Sequence, residues 1–275
     1  MPEEVGMKIE CRAAGLTDRG MVREGNEDSI LLADDLGLYA VADGMGGHNA
    51  GEVASRMAMD VIRDYISRTS RGGEVLLGGH DHAYSDAANR LASGIKLANR
   101  VIFESASNSA SWRSMGTTIV AALIDGEQVS IAHAGDSRAY LVRGNEIRPL
   151  TNDHSLVAEQ VRQGLLSKEE AEKSTRKNVI TRALGAAAEI EIDLCDLDVE
   201  DGDRMLLCSD GLSNMIADQG IAAIVRGFRE PEEICTKLVE EANRCGGRDN
   251  ISAVLLMFSR KRESGIARLF GWGKG

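Results

Sequence analysis

Aromatic residues are scarce, at 4% of 275, so any core must rest on aliphatics, alanine and methionine. Cysteines are few. Cys11, Cys195, Cys208, Cys235 and Cys245 are odd in number and form no C-x-x-C pair. That argues against a disulfide framework or a thiolate zinc site, and reads as free thiols in a reducing compartment. A basic excess is missing too. The 32 Lys and Arg stand against 43 Asp and Glu, a formal charge of -11. Non-specific nucleic-acid binding needs the opposite sign. The longest apolar runs, residues 117–124 and 251–258, fall far short of the ~20 residues that span a bilayer. The opening Met1-Pro-Glu-Glu-Val-Gly6 has no apolar h-region, so no signal peptide and a cytoplasmic location are expected. No G-x-x-x-x-G-K-[ST] occurs, and no G-x-G-x-x-G with a ribose-binding acid follows a strand. A nucleotide-binding reading of the glycines at 44–51 therefore has little behind it.

What is present begins with Leu38–Ala42, a short apolar run with the character of a buried strand. It stops at Asp43, and Gly44, Gly46 and Gly47 follow. A carboxylate at a strand end beside permissive backbone suits a hard cation, though a solvated Asp-Gly turn has the same spelling. The pattern recurs. Asp136 follows Ile-Ala-His-Ala-Gly, Asp210 follows Leu-Leu-Cys-Ser and precedes Gly211, and Asp249 precedes Asn250 and a strand. If those strand ends converge, four carboxylates share a pocket and cannot all ionise without cations. Oxygen-only ligands point to Mg²⁺ or Mn²⁺ rather than zinc. Two such ions ~3.5–4 Å apart can lower the pKa of a bridging water and aim it at phosphorus. Arg23 is the candidate phosphate clamp, or a surface residue paired with Glu24 or Glu27. His48 is the candidate acid for a leaving alkoxide, or a hydrogen-bonding neighbour of the ligands. His80 and His82 flank Asp81 but have no partner ligands at useful spacing, so they read as loop.

Around these positions the pattern predicts strands at 8–17, 29–33, 117–124, 128–133, 138–142, 147–150, 189–199, 204–208 and 251–258. It predicts helices at 50–69 and 83–106, short polar ones at 156–164 and 168–174, and others at 212–215, 218–228 and from Pro231 to Gly246. Residues 70–82 read as a glycine-rich loop, and about 155–177 as a mobile polar region. The run 117–150 reads as one β-meander, hence antiparallel pairing in an α+β fold. One domain over 1–259 is expected, with a tail at 260–275 that is basic and apolar, read as a disordered end or cap rather than a membrane hook.

The motifs together resemble the metal-dependent type-2C protein serine/threonine phosphatases in their bacterial form. Those that carry the resemblance are Arg23-Glu-Gly-Asn-Glu27-Asp28, Val41-Ala-Asp43-Gly44-Met-Gly-Gly-His48, Met115-Gly-Thr-Thr118, Ala134-Gly-Asp136-Ser-Arg138, Ser209-Asp210-Gly211-Leu212 and Gly247-Arg-Asp249-Asn250. The resemblance implies a four-layer α-β-β-α sandwich of two antiparallel sheets flanked by helices. It implies that Asp43 bridges two metals, that the Gly44 carbonyl binds one, and that Asp210 and Asp249 complete the first. Glu27 would reach the second through water, Asp136 with Asp210 would hold a third, and Arg23 would bind substrate phosphate. Residues 155–177 would form a flap that affects substrate choice. The substrates would be phosphorylated proteins, opposed by a cognate Ser/Thr kinase, with the phosphatase a monomer. A docking module that had lost catalysis is the competing reading, and the intact carboxylate set argues against it.

Overall fold

Alternation of side chains decides the layering, because successive residues of a strand face opposite ways. In the computed structural model, which describes residues 7–46, 50–70, 76–167, 170–171, 174, 176 and 179–262, strand β10 (Arg204–Cys208) is buried on both faces. Leu206 and Cys208 point to one apolar cluster, Met205 and Leu207 to another. Strand β3 (Leu38–Met45) behaves alike: Leu38, Ala40 and Ala42 enter one core, Tyr39 and Val41 the next. Strands apolar on both faces need cover on both, and the chain supplies three stacked cores.

The first core lies between one sheet and helices α1 (Ala50–Thr69) and α2 (Asp86–Asn108). Ala50, Ala54 and Ala58 of α1 sit four apart and are fully or almost fully buried, so a small-residue stripe faces the sheet. The third core packs the second sheet against α5 (Asp218–Gly227) and α6 (Pro231–Arg244). Between the sheets, Ile9, Tyr39, Val41, Val120, Ile131, Met205, Val254 and Phe258 make the middle core. This is the four-layer α-β-β-α sandwich, aliphatic as the composition requires.

One sheet runs β2 (Asp28–Ala33), β3, β5 (Ile119–Asp125), β6 (Gln128–Ala134), β9 (Asp193–Asp198), with the short β4 (Gly116–Thr117) pairing β3. The other runs β1 (Met7–Asp18), β11 (Ile251–Arg262), β10, β7 (Arg138–Arg143), β8 (Glu146–Pro149). All the pairings are antiparallel. The expected single meander is therefore split. Hairpin β5–β6 belongs to one sheet and β7–β8 to the other, and residues 135–137 carry the chain across. Asp136 sits on that crossing. The strand expected at 117–124 also breaks at Thr118, whose side chain serves the site. The strand expected over 189–199 shortens to β9. The last strand runs past Phe258 to Arg262, so the start of the expected tail belongs to the sheet; residues 263–275 lie outside the described residues. The helix expected at 168–174 lies largely outside them as well, and the first polar helix is α3 (Leu156–Arg162).

Two polar locks hold α2, one to a strand and one to the loop before β9. Ser85, the N-cap of α2, accepts from Ala88 N–H at 3.0 Å and donates to Asp196 Oδ1 at 2.9 Å. Asn99, 1% exposed on α2, accepts from Gly185 N–H at 2.8 Å and donates to the Ala187 and Ala188 carbonyls at 3.1 and 3.2 Å. Gly185 has φ +84°, and a Cβ there would collide with Ile102 Cγ2. Asn99→Ala would strand all three backbone groups. It should cost about 2–3 kcal/mol and lower the calorimetric unfolding temperature; a loss within about 0.5 kcal/mol would show that the lock is idle.

Candidate metal centre

Asp28 and Asp43 face each other across the β2–β3 ladder as directly registered partners. The ladder brings the first two carboxylates together. The backbone of Asp43 is held on both sides: its N–H donates to Thr118 Oγ1 at 3.0 Å, and its carbonyl accepts from Thr118 N–H and Thr117 Oγ1, each at 2.9 Å. Next along, Gly44 N–H donates to the Glu27 carbonyl at 3.2 Å. A Cβ on Gly44 would meet the Gly51 and Glu27 backbone, so glycine is required there for close approach.

Asp210 opens α4 (Asp210–Ser213) immediately after β10, with Ser209 as the N-cap. Asp249 precedes β11. Asn250, beside it, uses its whole amide: Oδ1 accepts from Glu27 N–H at 2.8 Å, and Nδ2 donates to the Gly25 and Arg19 carbonyls at 2.9 and 3.0 Å. The loop that carries Arg23 and Glu27 is thus tied to the residue next to Asp249.

Electrostatics shows how near these groups lie. Asp43 is held well above the usual carboxylate range by loss of water and then by Asp28, Asp210, Asp136 and Asp249. Burial pushes Asp28 up to about 7 against the hydroxyl donors Ser252 and Ser209, with Asp210 and Asp249 adding repulsion. Burial and the charges of Asp210 and Asp153 push Asp136 up to about 7. Asp210 is raised by burial and by the charge of Asp249. Glu27, raised chiefly by burial, lies against Gly51.

The donor set fits divalent cations. Asp28 Oδ1, Asp136 Oδ1 and Asp210 Oδ1 are buried and have no hydrogen-bond partner, although Asp210 as a residue is partly open. Orphaned anionic oxygens that converge from separate strands are costly unless a cation satisfies them. Of the expected residues, Asp43, Asp136, Asp210, Asp249, Glu27 and Gly44 are brought together. Arg23 pairs with neither Glu24 nor Glu27; Nη2 donates to Asp249 Oδ2 at 2.6 Å and the side chain is 53% exposed. His48 lies outside the described residues. The reading of the residues missed Asp28, which the motif contains but which stands beside the more conspicuous Glu27; its signal was the β2–β3 register, which aligns it with Asp43. His80 pairs with Asp86 at 2.8 Å, away from this cluster.

A family model, protein phosphatase 2C, matches residues 13–251. This chain belongs to the protein phosphatase 2C family. This type-2C phosphatase is 40% identical over 243 residues to the serine/threonine phosphatase stp of Listeria welshimeri, covering 87% of this chain and 93% of that one. It is 36% identical over 244 residues to the serine/threonine protein phosphatase PstP of Mycobacterium tuberculosis, covering 89% of this chain and 44% of the relative. Its fold overlays the catalytic domain of PstP in complex with two manganese ions with a TM-score of 0.78 at 34% identity, over 91% of this chain and 99% of that chain. The chain is therefore a bacterial type-2C protein serine/threonine phosphatase, and the motif resemblance holds. No helix among the described residues is long and apolar enough to cross a membrane.

The raised carboxylates make a stability prediction with a definite sign. Between the ordinary carboxylate value near ~4 and about 7 for Asp28 and Asp136, the folded metal-free chain keeps protons that the unfolded chain has lost. Its stability should fall as pH rises through that window. Divalent cations remove the repulsion and compete with the protons, so Mn²⁺ should raise the unfolding temperature more at pH 8 than at pH 6. Equal shifts in differential scanning fluorimetry would mean that these carboxylates do not take up the ion.

Proposed function

We propose that this phosphatase hydrolyses phosphoserine and phosphothreonine on proteins with two divalent cations, Mn²⁺ or Mg²⁺, held by Asp43, the Gly44 carbonyl, Asp210 and Asp249. Glu27 orients solvent at the second ion, and Asp136 with Asp210 holds a third, weaker one. The observation that carries this reading is the trio of buried, unpartnered carboxylate oxygens on Asp28, Asp136 and Asp210. Bound cations supply Lewis acidity, lowering the pKa of water and neutralising phosphate charge. Asp28 keeps its neighbours in place: its Oδ2 accepts from Ser209 and Ser252 at 2.8 and 2.6 Å, joining β2 to the strands of the opposite sheet.

Arg23 clamps the substrate phosphate. It rests on Asp249 with half its surface in solvent, so it can turn onto phosphate oxygens without any core movement. His48, five residues past Asp43, is the proposed acid for the leaving alkoxide. The enzyme acts as a cytoplasmic monomer on phosphorylated proteins and opposes a Ser/Thr kinase of the same cell.

Hydrolysis of p-nitrophenyl phosphate should require Mn²⁺ or Mg²⁺ and stop with EDTA, and Asp43→Asn should lower kcat/KM more than about a hundredfold while the protein stays folded. Metal-independent turnover, or an active Asp43→Asn variant, would refute the mechanism. Arg23→Ala should raise KM for a phosphopeptide roughly ten- to a hundredfold with kcat little changed, the cost of a charged hydrogen-bond pair. An effect confined to kcat would move Arg23 from substrate binding to the transition state.

A further inference from the structure

Asp136 stands on the crossing between the sheets, directly after a buried glycine. Gly135 has φ +116° and no room for a Cβ against Thr118. What holds Gly135 is His154. His154 N–H donates to the Gly135 carbonyl at 2.9 Å, and Gly135 N–H donates to His154 Nδ1 at 3.2 Å. The two peptide planes that flank Gly135 are both fixed this way, and the second carries the nitrogen of Asp136.

The bond to Nδ1 settles the ring's chemistry. A peptide N–H only donates, so Nδ1 accepts and the ring proton sits on Nε2. Nε2 faces Asp193 Oδ2 at 3.3 Å. Arg182 Nη1, 3.4 Å from that Nε2, cannot donate to a nitrogen that holds a proton, and it bonds Asp193 Oδ1 at 2.8 Å instead. His154 is 1% exposed and stacks on His133 with ring centroids 4.6 Å apart, and the His154 carbonyl takes Thr181 N–H at 2.8 Å. Burial lowers the pKa of both imidazoles, which keeps them neutral.

The ligating atoms of His133, His154 and Asp193 lie within 4.8 Å of one another, a spacing that suits a metal. Each of the three residues is already engaged otherwise. Nδ1 of His154 serves Gly135, Nε2 of His133 donates to the Asn152 carbonyl at 2.9 Å, and the Arg182 guanidinium fills the cation's place beside Asp193. The cluster is a brace between the segment that returns from the flap and the loop that carries Asp136.

We propose that His154 is a positioning residue: its Nδ1 fixes Gly135 and thereby aims the Asp136 carboxylate at the third cation. This rests on the reading that Asp136 with Asp210 holds an ion. Two substitutions divide the imidazole. In His154→Asn the amide oxygen replaces Nδ1 and keeps the acceptor for Gly135, while the link to Asp193 is lost. In His154→Gln the amide reaches the place of Nε2 and keeps that link, while the acceptor is lost.

Mn²⁺ uptake by the metal-free full chain, followed by calorimetry without substrate, reads the difference. The wild type should show a weaker class of sites besides the tight pair, and Asp136→Asn should lose it. His154→Gln should weaken that class by about tenfold or more, the usual consequence of removing a group that orients a ligand. His154→Asn should stay within about threefold of wild type. A Gln variant with wild-type uptake, or Asn and Gln variants equally impaired, overturns the role of His154 alone. A wild-type chain without the weaker class overturns the third-ion reading and this inference together. Should His154→Gln fail to fold, His154→Asn still decides, because loss of its weaker class contradicts a role for Nδ1.

Discussion

Mutual repulsion among carboxylates is the constraint under which the rest of this molecule is arranged. Asp28, Asp43, Asp136 and Asp210 come from four different segments, and the pKa of each is raised. No sandwich of this size gains stability from collecting them. The arrangement persists because the surroundings over-determine it. Asp28 and Asp43 are locked by ladder register, Asp210 by the turn into α4, and Asp136 by the crossing between sheets. The cost is carried by the three cores, and the cations proposed for this site would relieve it.

The site also joins the two sheets. Asp28 and Asp43 belong to one, while Ser209 and Ser252, whose hydroxyls both reach Asp28 Oδ2, belong to the end of β10 and to β11 in the other. Asn250 extends this stitching to the Arg23 loop. Arg138 adds a further brace, donating to both oxygens of Asp153 at 2.8 and 2.7 Å. The pair balances one more acid close to the cluster, since Asp153 raises Asp136 and Asp210 while Arg138 lowers them. Polar stitching of this kind at the mouth of an aliphatic sandwich fixes how the sheets sit, which apolar packing alone leaves looser.

Much of the site was legible because its chemistry has a local spelling. A carboxylate at the end of an apolar run, next to glycine, can be read for Asp43 and Asp210 without any knowledge of the fold. Both α1 and α6 were legible from spacing and from Pro231, which does stand at the first helical turn. Other parts were not. The split of the meander at residues 135–137 depends on which sheet β7 joins, and strand propensity is silent on partners. Thr118 looked like the start of a strand because its β-branched side chain suits one; its hydroxyl is instead taken by Asp43 N–H and Ser137. His154 lay in a polar stretch without periodicity, and its worth comes from Gly135, 19 residues away.

The pairing of β1 with β11 runs the full length of both strands, from Met7 with Arg262 to Asp18 with Ile251. Among the described residues β11 follows every other element in chain order, yet it lies inside its sheet between β1 and β10. The strand synthesised first among the described residues must therefore wait for the one synthesised last. Such long-range closure is slow and leaves edges unpaired in the meantime. It also means that a growing polypeptide still lacks Asp249 and the β11 side chains of the middle core. A product that stops before Asp249 thus closes neither this sheet nor the carboxylate cluster.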